Sequence, residues 1–145
     1  ARLNHQDTKG TKKSVLEFEE VDKKIDQIVT QVVDAAYKIH RKFGPGLLES
    51  AYEACLVHEL RKRRLKVESQ VAVPLDYEGE RVDAGFRIDL LVEGQLIVEL
   101  KAVEAILPVH KAQVITYLKI KKERLGLLIN FNVPLIKKGI QRIVL

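Results

Sequence analysis

Three residues near the middle of the chain, Asp89, Glu99 and Lys101, have the types and spacing for metal-assisted hydrolysis. Glu99 and Lys101 interrupt the stretch QLIVELKAV, whose Leu96, Ile97, Val98, Leu100 and Val103 suit a strand covered on both faces. A charge inside such a strand is costly unless it is paired or holds a metal. Two carboxylates with a neighbouring backbone carbonyl, that of Leu100, make a hard, oxygen-lined site suited to Mg²⁺ or Mn²⁺. Such an ion polarises a phosphoryl oxygen and lowers the pKa of a bound water. A lysine beside it orients that water or stabilises charge on the phosphorane. The plainer alternative is a cross-strand ion pair of Glu99 with Lys101 or Arg87. An aspartate on the neighbouring strand favours the metal.

That chemistry requires both carboxylates on one face of a hairpin, which depends on the turn. GFRIDLLV and QLIVELKAV flank Glu93-Gly94 and read as its two strands. Alternation places Phe86, Ile88 and Leu90 on one face, with Arg87 and Asp89 on the other. A two-residue loop at Glu93-Gly94 would pair Val92 with Gln95 and send Asp89 and Glu99 to opposite faces. A three-residue loop, Val92-Glu93-Gly94 with Gly94 left-handed, pairs Leu91 with Gln95, Asp89 with Ile97 and Arg87 with Glu99. Both carboxylates then share a face on a diagonal of roughly 7–8 Å. The three-residue loop is the expectation.

Around this hairpin the pattern is helix, helix, three strands, helix, strand. A helix from about Glu19 carries Val21, Ile25, Ile28, Val29, Val32, Val33, Ala36 and Ile39 at helical spacing, and FGPG stops it. A second, from about Leu47 to Arg64, has Leu48, Ala51, Tyr52, Cys55, Leu56 and Leu60 as its stripe and RKRR at its negative end. KVESQVAVPLDY reads as the first strand, Val109 to Glu123 as the third helix, LGLLINF as a buried strand and GIQRIVL as an edge strand. The result is a mixed α/β sheet in which one crossover helix brings in a parallel strand. The polar opening, ARLNHQDTKGTKKS, predicts a flexible leader over residues 1–18, followed by one domain over residues 19–145.

Composition sets the outer limits. The chain has 145 residues, 46% of them hydrophobic, enough for one domain with a real core. A net charge of +5 permits a polyanionic partner without requiring one. The single Cys55 excludes an internal disulfide and a cysteine zinc cluster, and points to a reducing, cytoplasmic location. No run is long and apolar enough for a membrane span. Cys55 and His58 share a helix but lack an Asp or Asn partner, so a Cys–His nucleophile is rejected. Glu80 and Asp83 are rival carboxylates that lie nearer a turn than Asp89 does.

Taken together, Asp89, Glu99 and Lys101 resemble the D…ExK signature of the PD-(D/E)XK nuclease superfamily. GLLESAY, Gly46 to Tyr52, resembles the GxxExxY motif that names one small branch of it, and QVITY, Gln113 to Tyr117, resembles the QxxxY motif of its exonuclease-like members. RID stands where Pro-Asp would be. The resemblance runs from about Ile25 to Ile143 and implies a restriction-endonuclease-like αβββαβ core, with an extra N-terminal helix and a divalent metal at the sheet edge. The implied activity is hydrolysis of phosphodiester bonds in DNA. The alternative is a catalytically silent nucleic-acid-binding or assembly module on the same fold.

The resemblance also implies roles for supporting residues. Glu49 is the helix-borne acid that approaches the metal, through water; it also suits a first helical turn without any such role. Tyr52 is expected mainly in the core. His40, at the end of the first helix, is a weaker metal candidate, better explained as a C-terminal cation or cap. His110, Gln113 and Tyr117 share one helix face, where they position the site or contact the nucleic-acid backbone. Lys111 and the basic end of that helix would add phosphate contacts. A domain of this size would grip duplex DNA as a homodimer or with a partner.

Overall fold

A computed structural model describes residues 22–145 and gives the first helix, α1, as His5–Phe43. The leader expected over residues 1–18 lies outside the described residues. Ile25, Ile28, Val29, Val32, Ala35, Ala36 and Ile39 form the buried stripe of α1. Gly44 ends the helix in the left-handed conformation (φ 64°), its N–H donating to the His40 carbonyl at 2.7 Å. Helix α2 (Glu49–Lys62) buries Tyr52, Leu56, Glu59 and Leu60. Glu59 accepts from Lys38 of α1 at 3.0 Å and from Arg63 at 3.2 Å, and Arg63 reaches Asp34 at 2.8 Å. Apolar packing and this ion-pair group together clamp α2 to α1.

The strands are β1 (Val67–Ala72), β2 (Leu75–Tyr77), β3 (Glu80–Val82), β4 (Arg87–Val92) and β5 (Leu96–Lys101). Helix α3 (Pro108–Lys121), β6 (Leu125–Asn130), a short 3₁₀ helix (Ile136–Gly139) and β7 (Ile140–Val144) complete the chain. Five strands form one sheet in the order β1-β4-β5-β6-β7, antiparallel except for the parallel β5–β6 pair that the α3 crossover creates. KVESQVAVPLDY is not one strand. Pro74, with no N–H to donate, separates β1 from β2, and β2 pairs with β3 as a small hairpin outside the main sheet.

Two cores flank the sheet. Val67, Leu90, Val92, Leu96, Val98, Leu100, Leu127 and Ile129 face α1 and α2. Ile88, Leu91, Ile97 and Leu128 face α3, with Val73, Val114, Tyr117 and Leu118. Alternation along β5 therefore holds as expected. Along β4 it fails, because Ile88 and Leu90 lie in different cores although they are two residues apart. On β1, Val67 and Val71 are likewise separated. Both strands switch faces at the same level of the sheet, and that level holds the candidate site.

Candidate active site

The turn between β4 and β5 has three residues, as expected, but they are Glu93, Gly94 and Gln95. Glu93 and Gly94 are both left-handed (φ 53° and 64°). Val92 stays in the strand opposite Leu96, both fully buried. The expected loop would have removed Val92 from the core, and its burial moves the turn one residue along. The register is corrected accordingly: Leu91 faces Ile97 and Leu90 faces Val98. The next step brings Asp89 opposite Glu99, where the expectation had Asp89 facing Ile97 and Arg87 facing Glu99. The two carboxylates meet directly rather than on a diagonal.

Regular pairing stops at that step. The β4–β5 ladder ends at Leu90–Val98, and the β1–β4 ladder passes from Ser69–Leu90 to Val71–Ile88 without a Gln70–Asp89 pair. Carboxylates replace the missing carbonyl acceptors. The Asp89 amide donates to Glu99 Oε1 at 2.9 Å, and the Leu100 amide donates to Asp89 Oδ2 at 2.8 Å. Gln70 sits across from Asp89 in the left-handed region (φ 53°), a strained conformation for a side-chain-bearing residue. Its amide donates to Glu53 Oε1 at 2.7 Å and to Asp89 Oδ1 at 3.3 Å. Gln70, Asp89 and Glu99 thus form one rung at which the sheet gives up backbone bonds for side-chain ones.

The electrostatics of the rung are unfavourable as it stands. Burial, with the facing Asp89 charge second, pushes the Glu99 carboxyl up to about 8, and Lys101 only partly offsets this. Burial also raises Glu49, at the start of α2, where Lys101 pulls down while Asp89 and Glu53 push up. Glu53 is raised by burial and by Asp89, against its Gln70 hydrogen bond. Asp89, Glu99, Lys101 and Glu49 are therefore gathered within electrostatic reach of one another. Among the described residues no three His, Cys, Asp or Glu side chains form a ready metal cage. A buried glutamate facing a half-buried aspartate, flanked by further acids, is nonetheless an all-oxygen donor set that a hard dication would stabilise.

The GxxExxY and QxxxY stretches hold the flanks. The Tyr52 hydroxyl donates to the Gly44 carbonyl at 2.5 Å and accepts from the Leu47 amide at 3.1 Å, while its ring stacks on Phe131 at 4.4 Å. It packs in the core as expected, and it also ties down the loop that sets the start of α2 and hence Glu49. Gln113 donates to the Tyr117 hydroxyl at 3.0 Å. Burial first, then the Glu99 charge, raises the Tyr117 phenol, and Tyr117 packs in one core with Ile88 and Ile97 of the two site strands.

Other expected residues sit elsewhere or do other work. His40 Nε2 lies 2.8 Å from the Val133 carbonyl, an acceptor, so that nitrogen is a donor and not a metal ligand. His110 caps α3, its Nδ1 accepting from the Leu107 amide at 2.9 Å. Lys111 is exposed on α3, with no described contact to the acids. Asp83 and Glu80 stay in the exposed β3 region. Three residues were missed. Glu53 lies one helical turn from Glu49, a spacing that could have revealed it. Asn130, polar at the end of an apolar strand, accepts from the Val103 and Asn132 amides and donates to the Val103 carbonyl, fixing the chain just after Lys101. Gln70 carries no comparable signal, since its role depends on its backbone conformation.

A family model described as the PD-(D/E)XK nuclease superfamily matches residues 26–143, from α1 into β7. The chain belongs to the PD-(D/E)XK nuclease superfamily. No curated protein and no solved structure matches it. In superfamily terms the core is α2-β1-β4-β5-α3-β6, a restriction-endonuclease-like arrangement preceded by α1 and closed by β7. PD-(D/E)XK nucleases generally use divalent metals, and the superfamily implies a nucleic-acid substrate. Among the described residues no helix is long and apolar enough to cross a membrane.

Proposed function

We propose that this chain is a Mg²⁺- or Mn²⁺-dependent nuclease that hydrolyses phosphodiester bonds in DNA, and that Gly46, Glu49 and Tyr52 place it in the GxxExxY branch. The observation that carries this reading is the Asp89–Glu99 rung: a buried glutamate held face to face with a half-buried aspartate, beside a lysine that, among the described residues, forms no ion pair with either. Such a pair is costly by itself and favourable around a dication.

Asp89, Glu99 and the Leu100 carbonyl would hold the ion, with Glu49 acting through water. An ion held there would supply Lewis-acid polarisation of the phosphoryl group and lower the pKa of water. Lys101 orients the attacking water and stabilises charge that develops on the phosphoryl oxygens. Gln113 fixes the Tyr117 hydroxyl at the rim, where the two position the substrate. Lys111, Lys119 and Lys121 on α3 add salt-sensitive phosphate contacts. Two copies of a domain this small would enclose a duplex better than one.

The test is cleavage of single-stranded, duplex and branched DNA, with RNA alongside, in Mg²⁺, Mn²⁺ or chelator. Metal-dependent cleavage is expected, reduced at least about 100-fold in Lys101→Ala with thermal stability unchanged. Unchanged turnover in that variant removes the proposed mechanism. Salt-sensitive binding without cleavage would instead assign the chain as a binding module.

A further inference from the structure

We propose that the groove between α3 and the segment leading into β2 is a subsite for one unpaired nucleobase, next to the phosphate being cleaved. The proposal rests on the nuclease reading and names the form of substrate that it takes. The groove encloses about 370 Å³, within the range of small-ligand sites and suited to a base with its sugar rather than to a paired duplex. Val73, Leu75, Phe86 and Val109 form apolar walls. Tyr117 is both a wall of the groove and packed in one core with Ile88, which precedes Asp89, and Ile97, which shares a strand face with Glu99, so the groove lies on the side of the sheet that carries Glu99.

The lining chemistry selects the occupant. Among the described residues no Lys, Arg, Asp or Glu lines the groove, so it suits neither a phosphate nor a metal. Phe86 is 42% exposed here, which leaves ring surface available to an aromatic partner. The polar groups offer a mixed edge. His110 Nδ1 accepts from the Leu107 amide, so the neutral ring carries its proton on Nε2 and remains a donor. Gln113 spends its amide N–H on Tyr117, which leaves its carbonyl oxygen as an acceptor. An apolar slot with an aromatic platform and a donor–acceptor edge, beside a phosphodiester site, matches a base that is out of its stack. A base paired within a duplex has its faces stacked and its Watson–Crick edge occupied, so the preferred substrate is a single strand, an overhang or a frayed end.

The experiment measures binding, by fluorescence anisotropy in chelator, of a short DNA single strand and of the same strand made abasic throughout. The full chain is used as wild type, as Phe86→Ala, and as Ala112→Leu, which fills the groove from an exposed position on α3. Wild type is expected to lose about tenfold or more on going to the abasic strand. Phe86→Ala and Ala112→Leu should bind the intact strand several-fold more weakly and lose little more on the abasic strand. Equal losses on the abasic strand in all three proteins would overturn the subsite. Cleavage of the intact strand by wild type in Mg²⁺ reports separately on the nuclease reading. Cleavage with base-independent binding removes the subsite alone, and base-dependent binding without cleavage removes the nuclease alone.

Discussion

Glu59 and Glu99 are both buried glutamates, 8% and 3% exposed, yet their surroundings are opposite. Glu59 sits between Lys38 and Arg63, and its hydrogen bond from Lys38, the largest cause, holds its carboxyl below the usual glutamate range. Glu99 faces Asp89, accepts a backbone amide and is pushed up to about 8. The first charge is compensated inside the protein and serves to join two helices. The second is compensated by nothing the chain itself supplies in full. Burial alone therefore does not distinguish the two acids; the charges that face each of them do.

Charge removal gives the sharpest separation of the two. Glu99→Gln should cost cleavage at least about 100-fold while raising the melting temperature of the metal-free protein by roughly 3–6 °C, if about 1 kcal/mol of repulsion is relieved. Glu59→Gln should do the reverse: destabilisation of about 1–2 kcal/mol in chemical unfolding, with cleavage per folded molecule unchanged. Glu99→Gln lowering stability as much as Glu59→Gln does would break the comparison.

The pH dependence should also run in opposite directions. The raised Glu99 carboxyl binds its proton more tightly when folded, so its protonated form favours the fold. In chelator, that contribution is complete below the ordinary glutamate value of 4.5 and is lost as pH rises through about 8. The lowered Glu59 contributes stability above the ordinary glutamate range and loses it as pH falls through its folded value. Melting curves in chelator should therefore lose stability from pH 5 to about 8 in the wild type, and less in Glu99→Gln. Saturating Mg²⁺ should flatten the same slope. An identical slope in the two proteins would detach it from Glu99.

The smallest effect belongs to Tyr52. Tyr52→Phe keeps the stack on Phe131 and removes the hydroxyl that joins Gly44 to Leu47. A loss of about 1 kcal/mol in stability is expected, with cleavage reduced several-fold through a displaced Glu49. An effect on stability with none on turnover would confine Tyr52 to the core.

The helices and most strands were legible because their apolar periods survive in the folded chain; the stripe from Ile25 to Ile39 is the plainest case. The misplaced charges of β5 were legible for the same reason, since they break an otherwise apolar strand. The register was legible only in parity. That Asp89 and Glu99 share a side follows from a three-residue turn, but their direct opposition required Val92 to stay buried against Leu96. Alternation also could not reveal that Ile88 and Leu90 serve different cores. That switch comes from the interrupted rung at Gln70 and Asp89, whose backbone geometry tertiary packing imposes.

The amides of Asp89 and Leu100 end on carboxylates in place of carbonyls. Two positions in the middle of the sheet are thereby wired to the ionisation of the site. Their solvent exchange and chemical shifts would follow the charge on Asp89 and Glu99 even while every neighbouring strand pair stayed closed. The sheet that builds the site thus carries its own internal electrometer, readable at the backbone without any substrate.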